Sequence, residues 1–266
     1  MEQADDFLED SRQLLTLMQD KSKAHYSKQT QFKNWTINDV IGHIHIFNFA
    51  ANLSLTAPKK FLEFILPIKM VISNGCSSLE VQKTWLAGAS GPELLEKWWS
   101  EVEKVSYNFS HVDPKQRLKW VGPDMSARSS ITARQMETWA HGHEIFDVLG
   151  KERVEHDRIK NIVHLGIATF EWTFKNRRLP IPRKVPFVKL LSPSGKSWEW
   201  NTPSETSRIE GTATDFVSVV TQTRNVLDTD LKLTGKVAKQ WLSIAQCFAG
   251  PPEEPPKKNT RYKLQN

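Results

Sequence analysis

Apolar residues recur at helical spacing through roughly the first two thirds of this 266-residue chain, and the period then changes. The pattern predicts an amphipathic helix over 6–18 and a buried helix after Thr36, whose side chain suits an N-cap with Asp39 three positions on. Further helices are predicted from the Ser90–Glu93 segment onward, over 130–149 with Gly150 as its stop, and over 157–175.

Prolines at 180, 182 and 186 interrupt the helical pattern. Beyond them, short segments bounded by turn residues predict strands over 188–191, 197–200 and 207–210, followed by helices over 214–224 and 236–248. The sequence therefore predicts a mainly α fold in three parts. These are a helical bundle over 1–180, a small α+β domain over 181–250 and a flexible tail over 251–266.

Composition excludes several classes of protein. The chain has 39% hydrophobic residues and ten tryptophans, enough for a substantial core. Its two cysteines, Cys76 and Cys247, form no Cys-x-x-Cys pair, so we expect neither a disulfide framework nor a cysteine-rich zinc site, and neither is a convincing nucleophile. The low cysteine content, together with an acidic N-terminus that lacks a signal-peptide layout, favours a cytoplasmic location.

Neither nucleic acid nor a membrane is an expected partner. The net charge of +6 sits largely in short basic runs, and no basic stripe is interleaved with stacking aromatic residues. The most apolar stretch, 61–72, is too short to cross a bilayer and contains Pro67 and Lys69. We therefore expect a small-molecule substrate and a monomer or homodimer.

Glu137 and His141 are the first candidates for chemistry. They lie four residues apart in a predicted helix, so their side chains project from one face. His43, in the buried helix, would complete a set of three ligands that leaves a fourth position open on a metal ion. Taken singly, the same residues also fit a core histidine and an ordinary helix pair.

Other residues near this trio leave alternatives open. His45 and His143 each lie two positions from a candidate ligand and so point away from it. Glu144, three residues past His141, rivals Glu137 as the carboxylate ligand. Asp39 is one turn before His43 and is a candidate partner for its imidazole, although the N-cap competes for that carboxylate.

Two segments resemble a known family. Asn34-Trp35-Thr36-Ile37-Asn38-Asp39-Val40-Ile41-Gly42-His43-Ile44 is similar to the signature of the DinB-like metal-binding bundle. The segments 122–128 and 132–142, with Glu-Thr-Trp-Ala-His-Gly at their core, resemble the mycothiol-dependent maleylpyruvate isomerase branch. Within it, they are most similar to a group described only as metal-binding, whose small C-terminal domain residues 228–250 also resemble.

The resemblance implies a DinB-like four-helix bundle with His43, Glu137 and His141 as ligands of a divalent metal, usually zinc. It also implies a low-molecular-weight thiol as cosubstrate, and hence a thiol-dependent isomerase or transferase. Arg128, Arg134 and Arg224 are candidate counter-charges for an anionic substrate, and Glu144 stands where that group commonly has Asp. The alternatives are a metal-hydroxide hydrolase without thiol and a non-catalytic metal-binding or ligand-binding protein; a lipid-carrier role for the small domain is a weaker one.

Overall fold

The computed structural model describes residues 1–74 and 79–265. Contacts within the chain divide it into two compact units, Met1–Gly150 and Lys151–Asn266. Within the described residues, no helix is both long enough and apolar enough to cross a bilayer.

The N-terminal unit is helical. Its helices are α1 (Glu2–Met18), α2 (Lys23–Tyr26), α3 (Ile37–Thr56), α4 (Pro58–Ser73), α5 (Leu79–Leu86), α6 (Gly91–Ser110) and α7 (Ala127–Val148). A short antiparallel ladder of β1 (Arg117–Leu118) with β2 (Met125–Ser126) precedes α7. Helices α1 and α3 each pack against both α6 and α7, which makes these four a bundle and confirms the predicted fold class.

Helix α3 begins at the predicted cap. The Thr36 hydroxyl accepts the N–H of Asp39 at 3.1 Å, and the Asp39 carboxylate accepts the N–H of Thr36 at 2.9 Å. This reciprocal pair satisfies two N–H groups that the first turn would otherwise leave without partners. The helix is apolar on nearly every side, and Val40, Ile41 and Ile44 are fully buried.

Helix α6 begins where predicted but is capped differently. Ser90 occupies the N-cap position without a side-chain cap hydrogen bond. The N–H of Gly91 instead donates to the side-chain oxygen of Asn38 on α3 at 2.7 Å. The start of α6 is therefore tied to α3 by a long-range bond that its local sequence does not reveal.

The bundle core is rich in large aromatic side chains. Phe7, Trp98, Phe109 and Trp139 are fully buried. Each such side chain stabilises the folded state by about 1.5–3 kcal/mol relative to exposure. Trp139 therefore packs in the core of the bundle.

The C-terminal unit is α+β, as predicted. It contains a 3-10 turn (Asp157–Ile159), α8 (Lys160–Ala168), α9 (Phe170–Asn176), α10 (Ala213–Val220), a second 3-10 turn (Val226–Asp228) and α11 (Lys236–Leu242). Its strands are β3 (Phe187–Leu191), β4 (Ser197–Trp200), β5 (Arg208–Thr212) and β6 (Lys232–Thr234), arranged β4-β3-β5-β6. Strand β3 runs antiparallel to β4 and parallel to β5, and β6 runs antiparallel to β5.

The continuous helix predicted over 157–175 is wrong. It is a 3-10 turn and two helices that meet at Thr169. The Thr169 hydroxyl donates to the carbonyls of Leu165 at 2.8 Å and Gly166 at 3.0 Å, and threonine side chains that bond back in this way bend helices. The N–H of Thr169 keeps its helical hydrogen bond to the Leu165 carbonyl at 3.0 Å. The last predicted helix is also shorter than expected, because α11 ends at Leu242 rather than at residue 248.

The domain boundary near residue 180 stays a prediction. Contacts place residues 151–180 with the C-terminal unit, since α8 packs against α10 and α9 against α11. The flexibility of residues 251–266 also stays a prediction. This segment makes hydrogen bonds within the C-terminal unit, among them Asn225 Nδ2 to the Pro256 carbonyl at 2.7 Å and Arg261 Nη1 to the Gln222 carbonyl at 2.9 Å.

Candidate metal centre

Two packed helices bring together the three side chains that the sequence analysis singled out. His43 lies on α3, and Glu137 and His141 lie one turn apart on α7, which packs against α3. Glu137 Oε2 is 3.7 Å from His43 Nε2 and 3.3 Å from His141 Nε2. Among the described residues these three form a group whose ligand atoms all lie within 4.8 Å of one another.

The donor set and its spacing fit a zinc ion. Two imidazole nitrogens and a carboxylate oxygen are donors that zinc accepts, with bonds of about 2.0–2.2 Å. Tetrahedral bonds of that length separate neighbouring donor atoms by about 3.3–3.6 Å. The separations of 3.3 and 3.7 Å at Glu137 are close to that spacing.

Burial of His43 and the neighbours of Glu137 give these two side chains the protonation states that a cation requires. The three side chains expose only 17% (His43), 19% (Glu137) and 11% (His141) of their surface. Burial lowers the pKa of His43 to about 4, which leaves its imidazole neutral at pH 7. Burial alone would raise the pKa of Glu137, but hydrogen bonds from His141 and His43 and the charge of Arg134 together hold it well below its ordinary value.

Arg134 is the arginine that reaches the trio. Its side chain is 4% exposed, and Nη2 lies 3.9 Å from Glu137 Oε1, the oxygen not nearest the histidines. The guanidinium lies over the Trp120 ring at 5.2 Å and the Phe47 ring at 5.8 Å, at cation–π distances. A fixed positive charge therefore stands beside the carboxylate ligand.

Aromatic rings surround the two histidines. Trp35 lies 5.3 Å from the His43 ring, Phe32 lies 5.1 Å from the His141 ring, and Phe47 lies 4.9 Å from the His43 ring. Phe32 and Trp35 come from a turn that includes Lys33 and Asn34, both in the left-handed region with φ of 52° and 57°. The turn is closed by Thr30, whose N–H and hydroxyl donate to the Trp35 carbonyl at 2.7 and 2.9 Å.

Gln82, not Asp39, contacts the far nitrogen of His43. The Asp39 carboxylate is used by the cap of α3, where it also accepts the Thr36 hydroxyl at 2.7 Å. Gln82 on α5 places its amide nitrogen 3.3 Å from His43 Nδ1. Gln82 was not predicted from the sequence, because a single glutamine in a short helix carries no local signal of this contact.

The remaining predicted site residues lie apart from the trio or in the other unit. Glu144 is 2% exposed on α7 but does not belong to the group that meets within 4.8 Å. Arg128 is exposed at the start of α7, nine residues before Glu137 (137 − 128), or about 13 Å along the helix axis. Arg224 lies in the C-terminal unit, where its guanidinium donates to the Thr223 carbonyl at 2.9 Å.

The two histidines expected to point elsewhere do so. His45 lies against Trp85 at a tilt, with ring centroids 5.1 Å apart, and His143 stacks on Trp139 at 4.9 Å. Of the cysteines, Cys247 is 5% exposed, and Cys76 lies outside the described residues.

Comparison with known proteins identifies the family. Residues 7–146 match the mycothiol maleylpyruvate isomerase N-terminal domain, a match that spans more than half of the chain and contains all three clustered residues. The chain belongs to this family. Two uncharacterised Mycobacterium tuberculosis proteins, from different strains, are each 36% identical over 227 residues, covering 85% of this chain and 87% of their own length.

Solved structures of the mycothiol maleylpyruvate isomerase family share the fold. The crystal structure of the mycothiol-dependent maleylpyruvate isomerase superposes with a TM-score of 0.51 at 12% identity, covering 82% of this chain and 87% of the isomerase chain. A mutant of that isomerase gives a TM-score of 0.52 at 11% identity, with the same coverage. At such low identity these likenesses concern the fold alone.

Proposed function

We propose that this protein is a divalent-metal-dependent enzyme that acts on a small molecule with the help of a low-molecular-weight thiol, as an isomerase or transferase. The observation that carries the proposal is the convergence of His43, Glu137 and His141 within 4.8 Å. Three protein ligands of this kind are typical of catalytic sites, because they leave a coordination position for a reactant, whereas structural zinc sites use four.

The chain's own residues would prepare that position. A divalent ion held here would supply a place where a thiol or a water molecule loses its proton near neutral pH. His43 is neutral and Glu137 is ionised, so neither side chain needs a net loss of a proton to bind a cation. Phe32, Trp35 and Phe47 limit the access of water, which strengthens electrostatic interactions at the site.

Arg134 favours anionic reactants. Its charge and that of Glu137 offset each other, so a divalent cation at the trio would leave the site with net positive charge. Such a site binds a thiolate or an anionic substrate better than a neutral molecule. Arg224, Arg128 and Glu144 remain predicted contributors to substrate binding, Arg224 from the C-terminal unit and the others from α7.

Membership of this family supports the use of a thiol as cosubstrate. The solved isomerases with this fold are described as mycothiol-dependent. The metal identity, with zinc preferred on its donor set, and the cytoplasmic location belong to the same proposal.

Cobalt substitution tests the thiol directly. Cobalt-loaded protein titrated with mycothiol, glutathione or cysteine should develop a sulfur-to-cobalt charge-transfer band in the near ultraviolet, because a thiol entering the open position binds as thiolate. Glu137→Gln should lose the band, whereas Glu96→Gln, the same change at an exposed position on α6, should keep it. The absence of any band across the thiols, with cobalt bound, would reject thiol dependence.

Turnover separates the proposal from its rivals. Turnover of electrophilic small molecules that rises with added thiol supports it. Hydrolysis that is indifferent to thiols would instead assign a metal-hydroxide hydrolase. A protein whose Glu137→Gln variant loses only metal and thermal stability would be a binding protein.

A further inference from the structure

The two nitrogens of the His43 imidazole face different partners. Nε2 faces Glu137 Oε2 at 3.7 Å, on the side of the trio, and Nδ1 faces the Gln82 amide at 3.3 Å. A neutral imidazole has one N–H donor and one acceptor nitrogen. A histidine that binds a metal through Nε2 must therefore carry its proton on Nδ1, and that proton needs an acceptor.

A glutamine can meet either state of the imidazole. Its amide has a donor end and an acceptor end, and a half-turn about the last side-chain bond exchanges them. With the nitrogen toward Nδ1, as in the structure, the amide donates and the proton of His43 belongs on Nε2. With the oxygen toward Nδ1, the amide accepts, and the Nε2 lone pair is available to a cation.

The fold holds Gln82 in place for this contact. Gln82 is 1% exposed, and Leu86 lies one turn further along α5. Leu86 packs over Gly42, the residue before His43, so closely that a Cβ on Gly42 would lie 2.7 Å from Leu86 Cδ1. The glycine thus lets α5 approach α3 at the turn that carries His43.

We propose that Gln82 is a positioning residue that selects which nitrogen of His43 carries the proton, and that it presents its oxygen to Nδ1 when His43 binds a cation. The inference rests on the proposed role of His43 as a metal ligand. A neutral amide also has a consequence for the metal. A neutral amide polarises the His43 imidazole less than a carboxylate would, so the imidazole donates less electron density to the metal ion. The ion therefore keeps more positive charge to act on the reactant.

Zinc binding and imidazole NMR on the full chain test this proposal. Gln82→Met keeps an unbranched side chain of similar length but removes both ends of the amide, and Gln82→Glu keeps an acceptor. Lys83→Ala, at an exposed neighbour on α5, is the matched control. Zinc affinity is measured by competition with a chelator, and the proton position on His43 by ¹H–¹⁵N correlation of the imidazole nitrogens.

We expect Gln82→Met to weaken zinc binding by about 10- to 100-fold and to expose the Nδ1 proton of His43 to rapid exchange. Gln82→Glu should retain the Nδ1 proton and bind zinc at least as tightly as the wild type, and the control should match the wild type. Zinc affinity within twofold of wild type together with unchanged His43 signals in Gln82→Met would overturn the proposal.

The proposal can fail separately from the proposed function. If wild-type protein binds no zinc or cobalt, the enzyme assignment fails, but the spectra of the metal-free proteins still decide about Gln82. A change in the ratio of the two neutral His43 forms between wild type and Gln82→Met supports the selection, and an unchanged ratio overturns it. If Gln82→Met does not fold, the same comparison is made with Gln82→Glu, which should shift the proton to Nδ1.

Discussion

Arg134 places a buried positive charge beside a site proposed to hold a cation. Its guanidinium is 3.9 Å from Glu137 Oε1 and lies over the Trp120 and Phe47 rings. Such a charge opposes a divalent ion and favours an anion bound to that ion. The arrangement is therefore suited to a reactant that arrives as an anion rather than to the tightest possible metal binding.

Replacement of Arg134 by methionine should change the affinity for zinc and the affinity for a thiol in opposite directions. The affinity for zinc should rise by about 5- to 30-fold, because the repulsion between the guanidinium and a divalent ion is removed, and about 1–2 kcal/mol of repulsion corresponds to that factor. The affinity of the cobalt-loaded protein for a thiol should fall by a similar factor. Chelator competition measures the first change, and titration of the charge-transfer band measures the second.

Arg134→Lys is the matched control, since it keeps the charge while losing the planar group that stacks on Trp120. It should change both affinities less than Arg134→Met. The interpretation is contradicted if Arg134→Met weakens zinc binding, or if it leaves thiol affinity unchanged.

At the site, the sequence predicted the residues that share one helix and the histidine of a second helix. Glu137 and His141 follow from helical spacing, and His43 stood out as a histidine in an apolar helix. Gln82 and Phe32 were missed because their contacts with the histidines depend on how α5 and the 28–36 turn pack against α3 and α7. No periodicity in the sequence records that packing.

At the scale of elements, the features that depend on residues close together in the sequence were predicted well. The capping box at Thr36 and three of the four strands of the C-terminal unit were recognised from neighbouring residues. The break at Thr169 and the strand β6 were missed. Threonine is common inside helices, and the three residues of β6 look like loop in the sequence because their partner strand β5 lies on the other side of α10 in the chain.

The capping of α6 also depends on a residue far away in the sequence. The Ser90–Glu93 pattern predicts a local capping box, yet the donor of Gly91 is satisfied by Asn38, which is 53 residues away in the chain. Long-range partners of this kind fix the relative position of α3 and α6, and sequence patterns show only that each helix exists.

For the molecule as a whole, stability should depend on pH through its buried histidines. Burial lowers the pKa of both His43 and His45 from 6.5 to about 4. Between these pH values the unfolded chain binds more protons than the folded one, so the free energy of unfolding falls as pH drops from 6.5 toward 4 and is fully restored above 6.5. The melting temperature of metal-free protein should fall over the same window.

His45→Gln tests the origin of this loss without touching the trio. The melting temperature of this variant should fall less steeply between pH 6.5 and 4.5 than that of the wild type. His111→Gln, at an exposed position of the bundle unit, should leave the slope unchanged. A wild-type melting temperature that is flat or rises on acidification would contradict the burial of neutral histidines.

Zinc content, measured on matched variants, shows whether His43, Glu137 and His141 together bind a metal ion. Purified protein dialysed against zinc and analysed by mass spectrometry should retain about one ion per chain, as expected for a single three-ligand site. His43→Ala, Glu137→Gln and His141→Ala should each lose it, while His143→Gln, which changes a histidine stacked on Trp139, should retain it. Retention of the full zinc content by His43→Ala would contradict the claim that α3 and α7 together hold one cation.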